Sequence, residues 1–419
     1  MTEHVLKDVK ETKTINSLKR SILGLQHLIA MFGATVLVPI LTGLSPSVAL
    51  LSAGVGTIIF HFVTDKKVPV FLGSSFAFIP VILKVKEMYN QDLAYAQGGI
   101  LIAGLIYVLL SFVIDKIGTE NINKYLPAQV IGPMIIVIGL NLIPTAIGMA
   151  SDNLPIALLT LATCLIVQNF TRGFIRQLSI LIAVVVGYLA SLSLNLVDTS
   201  IISTASLFSV PDFSLPKFSL PAIITIAPII LAVFMEHLGD VKTNGQVVGK
   251  DFLKDPGLNK TLLGDGLATV FAAMIGGPAN TTYGENTAVL AVTKNYDSSL
   301  LRLAAIYAIV LSFIGKLGGV LHSIPVFVMG GISIVLFSMI ALVGVKTIRT
   351  NKVKLNIPNI IIMGSIIILG LFSGQIEKFT GVMPGIRITD SISISGLSFA
   401  AIVGIILNIV FSLIGNKEK

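Results

Sequence analysis

The sequence predicts an all-α polytopic membrane protein with fourteen spans, arranged as two inverted repeats of seven spans each. Three observations predict this fold class. Of the 419 residues, 54% are hydrophobic and 12% are charged, whereas soluble domains carry about 25% charged residues. Apolar runs of about 15–25 residues recur between short polar loops, as in polytopic helical proteins. Short motifs also repeat at an offset close to half of the chain length.

The first half begins with a polar stretch that contains several lysines. Met1–Ser17 is too charged for a signal-peptide n-region, and no small-residue cleavage site follows the first apolar run. We therefore predict a cytoplasmic tail over residues 1–17 and a retained first span. The seven spans of this half are predicted at residues 18–42, 46–62, 68–83, 97–115, 126–149, 154–171 and 176–196.

The second half contains seven further apolar runs. Its third run, like the third run of the first half, is short and interrupted by Gly, Ser, Thr or Pro, so spans three and ten are predicted to be broken. The spans of this half are predicted at residues 221–240, 261–277, 283–294, 299–316, 324–345, 355–373 and 395–414.

Basic residues alternate along the chain as the positive-inside rule predicts. With the N-terminus in the cytoplasm, 23 of the 29 lysines and arginines fall in inner segments and 6 in outer segments. An even number of spans places the C-terminus in the cytoplasm as well. This distribution explains the formal charge of +8 without nucleic-acid binding and predicts a multi-pass protein of the cytoplasmic membrane.

The two halves share motifs in a common order. Gln26–Leu28 recurs as Glu236–Leu238, and the Gly54-x-Gly56 pattern recurs 210 residues later. An odd number of spans per half requires opposite orientations. Inverted repeats with broken helices are typical of secondary transporters, in which the binding site lies at the short segments near the middle of the membrane.

The broken segments and three acidic residues predict a polar pocket. Leu72–Phe78 and Thr281–Asn286 are rich in Gly, Ser and Thr, and backbone freed from a helix presents N–H and C=O groups to a ligand. Glu236 and Asp240 are four residues apart and share a helix face, and Glu285 lies in the second broken segment. Carboxylates at membrane depth are expensive and mark functional sites, so these acids are candidates for substrate and proton binding.

Other interpretations of these residues stay open. The acids can also close helix ends, or Asp240 can pair with the nearby Lys242. His27 and His237 occupy equivalent repeat positions, where a membrane histidine often serves as a hydrogen-bonded packing residue, while His61 is predicted to be interfacial. The spacing of residues matches no metal site, nucleophile elbow or phosphate loop, so we predict no cofactor and no enzymatic activity.

The motifs resemble those of the nucleobase–ascorbate transporter family, and within it the uracil permeases. The resemblance covers nearly the whole chain. It rests on Gln26–Thr35, Gly73–Phe78, Glu236–Gly239, Lys250–Gly257 and Asn280–Asn286.

The resemblance implies a division into two bodies and short strands in spans three and ten. A core domain comprises spans 1–4 and 8–11, at residues 18–125 and 221–320. A gate domain comprises spans 5–7 and 12–14, at residues 126–220 and 321–419. It also implies alternating access of core against gate, and a homodimer formed through the gate domain.

The resemblance further implies proton symport of uracil and assigns roles to residues. Ring N–H groups of uracil would donate to carboxylates, and its carbonyls would accept from backbone amides. The implied substrate-binding residues are Glu236, Glu285, Phe76, Gly284, Ser75 and Tyr283; the proton-coupling candidates are Asp240, Glu236 and His27; the supporting residues are His237, Asn286 and Gln26.

Two positions depart from the family pattern, and several rival functions remain. Asp240 stands where well-known uracil permeases carry histidine, and Ala288 stands where the family has glycine. The nearest rival is the same fold carrying xanthine, uric acid or an inorganic anion, although an anion carrier should have a basic or neutral site. A channel would need a continuous polar path, and a membrane enzyme would need a nucleophile–base pair or metal ligands.

Overall fold

The structure, a computed structural model, describes residues 2–117, 127–389 and 392–415. Helices form most of the first half, and its first helix passes through the predicted tail into the first span without a break. One turn of 3-10 helix at Phe76–Phe78 separates the first strand from the third helix. The elements are α1 (Thr2–Thr42), α2 (Pro46–Val63), β1 (Leu72–Ser74), α3 (Ile79–Met88), α4 (Ala94–Ile117), α5 (Ala128–Ser151), α6 (Leu154–Phe170), α7 (Gly173–Gln177), α8 (Ser179–Ser193) and α9 (Ser200–Thr204).

The second half has the same overall order and adds a hairpin before the last helix. A 3-10 turn at Ala227–Ile229 joins the two helices of its first span. The elements are α10 (Leu220–Ile226), α11 (Ile230–Val248), α12 (Leu258–Met274), β2 (Asn280–Thr282), α13 (Gly284–Thr293), α14 (Ser298–Ser312), α15 (Gly315–His322), α16 (Val326–Thr350), α17 (Ile357–Leu371), α18 (Ser373–Thr380), β3 (Gly385–Thr389), β4 (Ile392–Ser395) and α19 (Gly396–Gly415).

Each of the fourteen predicted spans coincides with at least one helix, so the predicted helical membrane protein is confirmed. By length and composition, five described helices can cross a membrane, or six if the bent pair α17 and α18 is one span. The other predicted spans consist of described helices that are shorter, less apolar or more charged than this test allows. Fourteen membrane crossings and their inversion therefore stay predictions. The β3–β4 hairpin was not predicted.

The two broken spans meet as a two-stranded antiparallel sheet. Leu72 pairs with Thr282, and Ser74 pairs with Asn280. Two further backbone bonds extend the contact at its ends, from Tyr283 N to Phe71 O at 3.0 Å and from Ser75 N to Ala279 O at 2.8 Å. The strands are three residues long, so the helices that flank them must hold them in place.

A threonine of the preceding helix holds the first residue of each strand. Thr57 Oγ1 accepts from Leu72 N at 2.9 Å. In the second half, Thr269 Oγ1 accepts from Asn280 N at 3.3 Å and donates to its carbonyl at 3.1 Å. The same device thus fixes both strands, one in each half of the chain.

The described helices pack in two groups. In the first group, α2 and α4 pack against α12, and α1 and α2 pack against α14. In the second group, α5 packs against α16 and α17, α6 against α8 and α16, and α17 against α19. The strand pair lies within the first group. Helix α11 contacts both groups, since it packs against α13 and also against α5.

Ion pairs join loops at the two ends of the bundle. At the predicted inner end, Lys260 Nζ lies 2.6 Å from Asp65 Oδ2, and this hydrogen bond lowers the pKa of the Asp65 carboxyl. At the predicted outer end, Lys217 Nζ lies 2.8 Å from Asp92 Oδ2 and lowers the pKa of Asp92 in the same way. Both pairs connect loops that the charge pattern places on one side of the membrane.

His61 lies in the last turn of α2 and is enclosed by protein, while its position at the membrane interface stays a prediction. Its side chain is fully buried, with Nε2 2.8 Å from Val70 O and Nδ1 3.3 Å from an Arg302 nitrogen. The end of α2 is covered by the loop that leads into β1, which the hydropathy pattern could not indicate.

Candidate functional site

The strand pair is packed against α1 through Tyr283. The Tyr283 hydroxyl donates to Ser74 O at 2.9 Å, and its ring lies over Gly73. A methyl group at Gly73 would overlap this ring and the Thr35 hydroxyl. Ser74 Oγ in turn donates to Thr35 O at 2.8 Å. Tyr283 therefore holds the two broken segments together. This structural role is separate from its predicted role in substrate binding.

Each strand leads directly into the N-terminus of a helical segment. Ser75 caps the turn that begins at Phe76, and Tyr283 caps α13, which begins at Gly284. Within the part of the chain that the structure describes, neither side chain accepts a hydrogen bond from the first N–H groups of the helical segment that follows it. The first N–H groups of a helix have no partner inside the helix, and its dipole favours negative charge there. Two such ends provide the backbone donors that the sequence predicted.

The three predicted acids come together beside α13. Glu236 and Asp240 lie on α11, Glu285 lies in the first turn of α13, and all three are half-buried. Glu285 is near enough to interact electrostatically with both acids of α11. Asp240 does not pair with Lys242, which is exposed. Instead, Asp240 Oδ2 accepts from Thr282 Oγ1 at 3.0 Å.

This side of the site is open to the surface. Gly239 and Gly284 are exposed, and a methyl group built at Gly239 would meet no atom within 4 Å. One helical turn further along α11, Thr243 is exposed as well. The accessible face therefore runs from the acids toward the C-terminal end of α11, which the charge pattern assigns to the inner side.

His27 and Asn286 form a separate contact between α1 and α13. The Asn286 side-chain amide donates to His27 O at 2.9 Å and lies 3.3 Å from His27 Nδ1. Both side chains are buried. An amide donor that faces Nδ1 requires a lone pair on that nitrogen, so this contact favours the neutral imidazole.

His237 faces away from the pocket, toward α12. The Thr261 hydroxyl donates to Leu258 O at 3.0 Å, so its oxygen accepts from Nε2–H of His237 at 3.0 Å. The other nitrogen, Nδ1, lies 3.1 Å from Asp265 Oδ2. This contact ties α11 to α12.

Asp265 is the main residue that the sequence reasoning missed. Its side chain is 1% exposed, and it lies near enough to interact electrostatically with Glu236. The signal was present, because Asp265 is an ionisable residue inside predicted span nine and the rule applied to the other acids applies to it too.

The remaining predicted residues lie around the pocket with unequal contacts. Ser75 Oγ and Gln26 Oε1 are buried side-chain atoms without a hydrogen-bond partner among the described residues. Phe76 is half-buried and packs against apolar residues of α1 and of the second helix group. The structure therefore brings the acids together beside the N-terminus of α13, which the antiparallel strand pair connects to the turn at Phe76, while His27 contacts Asn286 and His237 faces α12.

Similarity to known proteins extends over most of the chain. Residues 18–379 match the model of a family described as "Permease family". The probable uracil permease of Haemophilus influenzae is 38% identical over 100% of this chain and 100% of its own length. The uracil permease of Bacillus caldolyticus is 40% identical over 93% of this chain and 91% of its own length.

A solved transporter shares the fold at low sequence identity. The structure of murine Solute Carrier 26 family member A9, an anion transporter in the inward-facing state, matches with a TM-score of 0.70 and 12% identity. The match covers 95% of this chain and 68% of that chain, so this chain spans about two thirds of its length. At this identity, the match concerns the fold alone.

Proposed function

Because the chain belongs to the permease family that its residues 18–379 match, we propose that it imports uracil across the cytoplasmic membrane by proton symport. Family membership confirms the resemblance stated above and makes the protein a multi-pass membrane transporter, not an enzyme. Uracil as the substrate is supported by relatives named uracil permease that are 38–40% identical to the chain.

One observation carries the proposal, namely the three carboxyl groups beside the N-terminus of α13, which the strand pair connects to the N-terminal turn at Phe76. Uracil has two ring N–H donors and two carbonyl acceptors. Glu236 and Glu285 accept from the N–H groups, while the backbone amides at Phe76 and Gly284 donate to the carbonyls. Both kinds of group are already placed before a ligand arrives, which lowers the cost of ordering them on binding.

Proton coupling is assigned to the same cluster. Asp240 and Glu236 are the proposed coupling groups, since carboxyls at close range resist simultaneous ionisation and a proton neutralises the excess charge. His27 is a weaker candidate, because Asn286 donates toward its ring. His237 and Asp265, which lie 3.1 Å apart, serve as support for α11.

The two helix groups support transport by alternating access. The proposed core domain, at residues 18–125 and 221–320, carries the strand pair and the acids. The proposed gate domain, at residues 126–220 and 321–419, consists of the second helix group. We propose that the core moves against the gate, with both termini in the cytoplasm, and that the gate forms a homodimer. The open face along Gly239 and Thr243 is the proposed inner access path.

The rival substrates make different demands on the site. An inorganic anion would be repelled by three acids, although a solved structure with the same fold is an anion transporter. Xanthine and uric acid offer similar donors and acceptors on a larger ring system. A panel of ligands is therefore needed to separate them from uracil.

Thermal stabilisation of the purified protein across a panel of nucleobases tests the substrate. We expect uracil to raise the unfolding temperature and to be recovered unchanged, whereas xanthine, uric acid and bicarbonate should have little effect. Stabilisation by xanthine but not by uracil would contradict the proposal.

Uptake into proteoliposomes with an imposed pH gradient tests the coupling. Uracil should accumulate when the outside is acidic, and Asp240→Asn should weaken accumulation more than equilibrium binding of uracil. Equal loss of both in this variant would count against a coupling role for Asp240.

A further inference from the structure

A single hydroxyl of strand β2 reaches the proposed coupling carboxylate. We propose that Thr282 is a positioning residue whose hydroxyl favours the ionised form of Asp240 and thereby helps to set the pH at which transport responds. This inference rests on the proposed proton-coupled function and deepens it. Thr282 belongs to the broken segment Thr281–Asn286 but is not among the predicted site residues, since a threonine carries no charge.

The contact between Thr282 and Asp240 is a buried hydrogen bond of ordinary length. Thr282 is 2% exposed, and its Oγ1 donates to Asp240 Oδ2 at 3.0 Å. The second oxygen, Oδ1, is turned toward Gly284, 3.8 Å from the position that a methyl group there would take. One carboxylate oxygen is thus anchored to the strand, while the other faces the open side of the site.

The charged groups near Asp240 are acidic, so a hydrogen-bond donor to its carboxylate matters for the balance between its ionised and neutral forms. The charged groups near enough to interact with it are Glu236, Glu285 and Asp265, which are all acidic. Helix α5, which packs against α11, contains no titratable residue. Within the described residues, the Thr282 hydroxyl is therefore the donor that opposes the repulsion among the acids, because a hydrogen bond to a carboxylate favours its charged form.

The strand connects this carboxylate to the substrate position. Thr282 is the last residue of β2, and Gly284 begins α13 two residues later. A ligand that binds the amide at Gly284 and a proton that binds Asp240 therefore act on the same short segment. The hydroxyl gives the two events a direct physical connection.

The test compares pH profiles of uracil exchange in proteoliposomes, which needs no imposed gradient. Thr282→Val removes the donor with little change in shape, so Asp240 should accept a proton more readily. The midpoint of the profile should move upward by about one pH unit, the shift that follows from losing a hydrogen bond to a charged group. Thr282→Ser keeps the hydroxyl and should restore the wild-type midpoint.

Thr281→Val is the matched control. Thr281 lies in the same strand, is also 2% exposed, and its hydroxyl has no hydrogen-bond partner among the described residues. Its loss should leave the midpoint unchanged. If Thr282→Val does not fold, Thr282→Ala removes the same hydroxyl with less bulk and is measured instead.

The outcomes separate this inference from the proposed function. A sloping wild-type profile with an unshifted Thr282→Val midpoint overturns the inference alone. A shift of equal size in an Asp240→Asn background also overturns it, because the hydroxyl would then act elsewhere. A wild-type protein that exchanges uracil with a flat pH profile contradicts proton coupling itself, and the inference with it.

Discussion

The two halves of the site share a scaffold but differ in chemistry. Each half supplies a three-residue strand whose first residue is held by a threonine of the preceding helix, Thr57 in one half and Thr269 in the other. The second half alone supplies the carboxylates, since Gln26 stands at the repeat position of Glu236. The comparison teaches that the backbone frame can be symmetric while the binding groups are not.

The two histidines at equivalent positions differ in the same way. His27 contacts the neutral Asn286 across the halves, whereas His237 faces Asp265 within its own half. The first contact ties α1 to α13, and the second ties α11 to α12. Substitutions in each half therefore test whether a residue contributes to the stability of the fold or to the binding of the substrate.

The largest effect is expected from Glu285→Gln. An amide in place of the carboxylate presents a donor toward a ring N–H of uracil, so one charged hydrogen bond is lost and one repulsive contact appears. We expect uptake at low uracil concentration to fall about 100-fold while the unfolding temperature changes little. Radiolabelled uptake and thermal unfolding of the purified protein measure the two effects.

Glu377→Gln serves as the control for this substitution. Glu377 lies on α18, where it is exposed and outside the site, and its change should leave uptake intact. Normal uptake by a folded Glu285→Gln protein would remove Glu285 from the binding site.

Gln26→Ala, at the repeat position of Glu236, should weaken uptake less than Glu236→Gln does if the carboxylates carry the binding.

The second prediction compares His237→Ala with His27→Ala. Both side chains are buried, so the cavities left behind are similar. Loss of His237 leaves the Asp265 carboxylate without its partner and should cost about 3–5 kcal/mol. Loss of His27 leaves Asn286 bonded to the backbone oxygen of residue 27, so the cost should be about 1–3 kcal/mol.

Chemical unfolding of the two variants in the same detergent measures this difference. A double variant, His237→Ala with Asp265→Ala, should be less destabilised than the sum of its single substitutions, because the unpaired carboxylate is gone. Equal losses for both histidines would mean that Asp265 does not need His237 for its charge balance.

The sequence predicted the fold and the acids well, because both depend on the cost of placing polar groups in an apolar environment. Apolar runs indicated the helices, and Glu236, Asp240 and Glu285 were conspicuous inside them. The meeting of the broken segments was expected from the repeat offset and from the resemblance, and the β1–β2 pairing confirms the short strands.

The partners of these residues could not be predicted, since they depend on which helix faces which. Thr282 and Thr261 are uncharged residues that give no signal in a hydropathy pattern, yet they bond Asp240 and His237. The hydropathy pattern did not indicate that His61, at a span end, is buried under the loop before β1. Asp265 differs from these residues, because an ionisable side chain inside an apolar run is visible in the sequence itself.

The third prediction concerns two glycines of the broken segments, Gly73 in the middle of β1 and Gly284 at the start of α13. Gly73→Ala forces a methyl group into the Tyr283 ring and should destabilise the protein by about 1–3 kcal/mol through overpacking. A methyl group at Gly284 would meet Asp240 Oδ1 at 3.8 Å, an ordinary contact, so Gly284→Ala should leave the unfolding temperature unchanged. Its methyl group would instead stand beside the proposed uracil carbonyl and weaken binding.

Unfolding temperatures and uracil affinities of both glycine variants give the contrast. Gly73→Ala should lower the unfolding temperature, whereas Gly284→Ala should lower only the affinity for uracil. If Gly284→Ala binds uracil as well as the wild type does, the amide at Gly284 is not a substrate contact.

The smallest effect is expected at the ion pair between Asp65 and Lys260, which joins a loop of the first half to α12 of the second. Both side chains are largely exposed, and solvent and salt screen such pairs. Because Lys260 lowers the pKa of Asp65 in the folded state, the pair contributes stability above the unfolded pKa of about 3.9. That contribution is lost as the pH falls through the folded pKa.

Lys260→Gln should therefore lower the unfolding temperature slightly at pH 7, and the difference from wild type should shrink as the pH falls below the unfolded pKa of Asp65, about 3.9. Lys254→Gln is the control, since Lys254 is more exposed and its partner Asp251 lies 3.6 Å away in the same loop, so its loss should change nothing at either pH. A Lys260→Gln difference that persists at acid pH would mean that the lysine stem stabilises the inner ends of the two halves by packing, because the charge of Asp65 would then play no part.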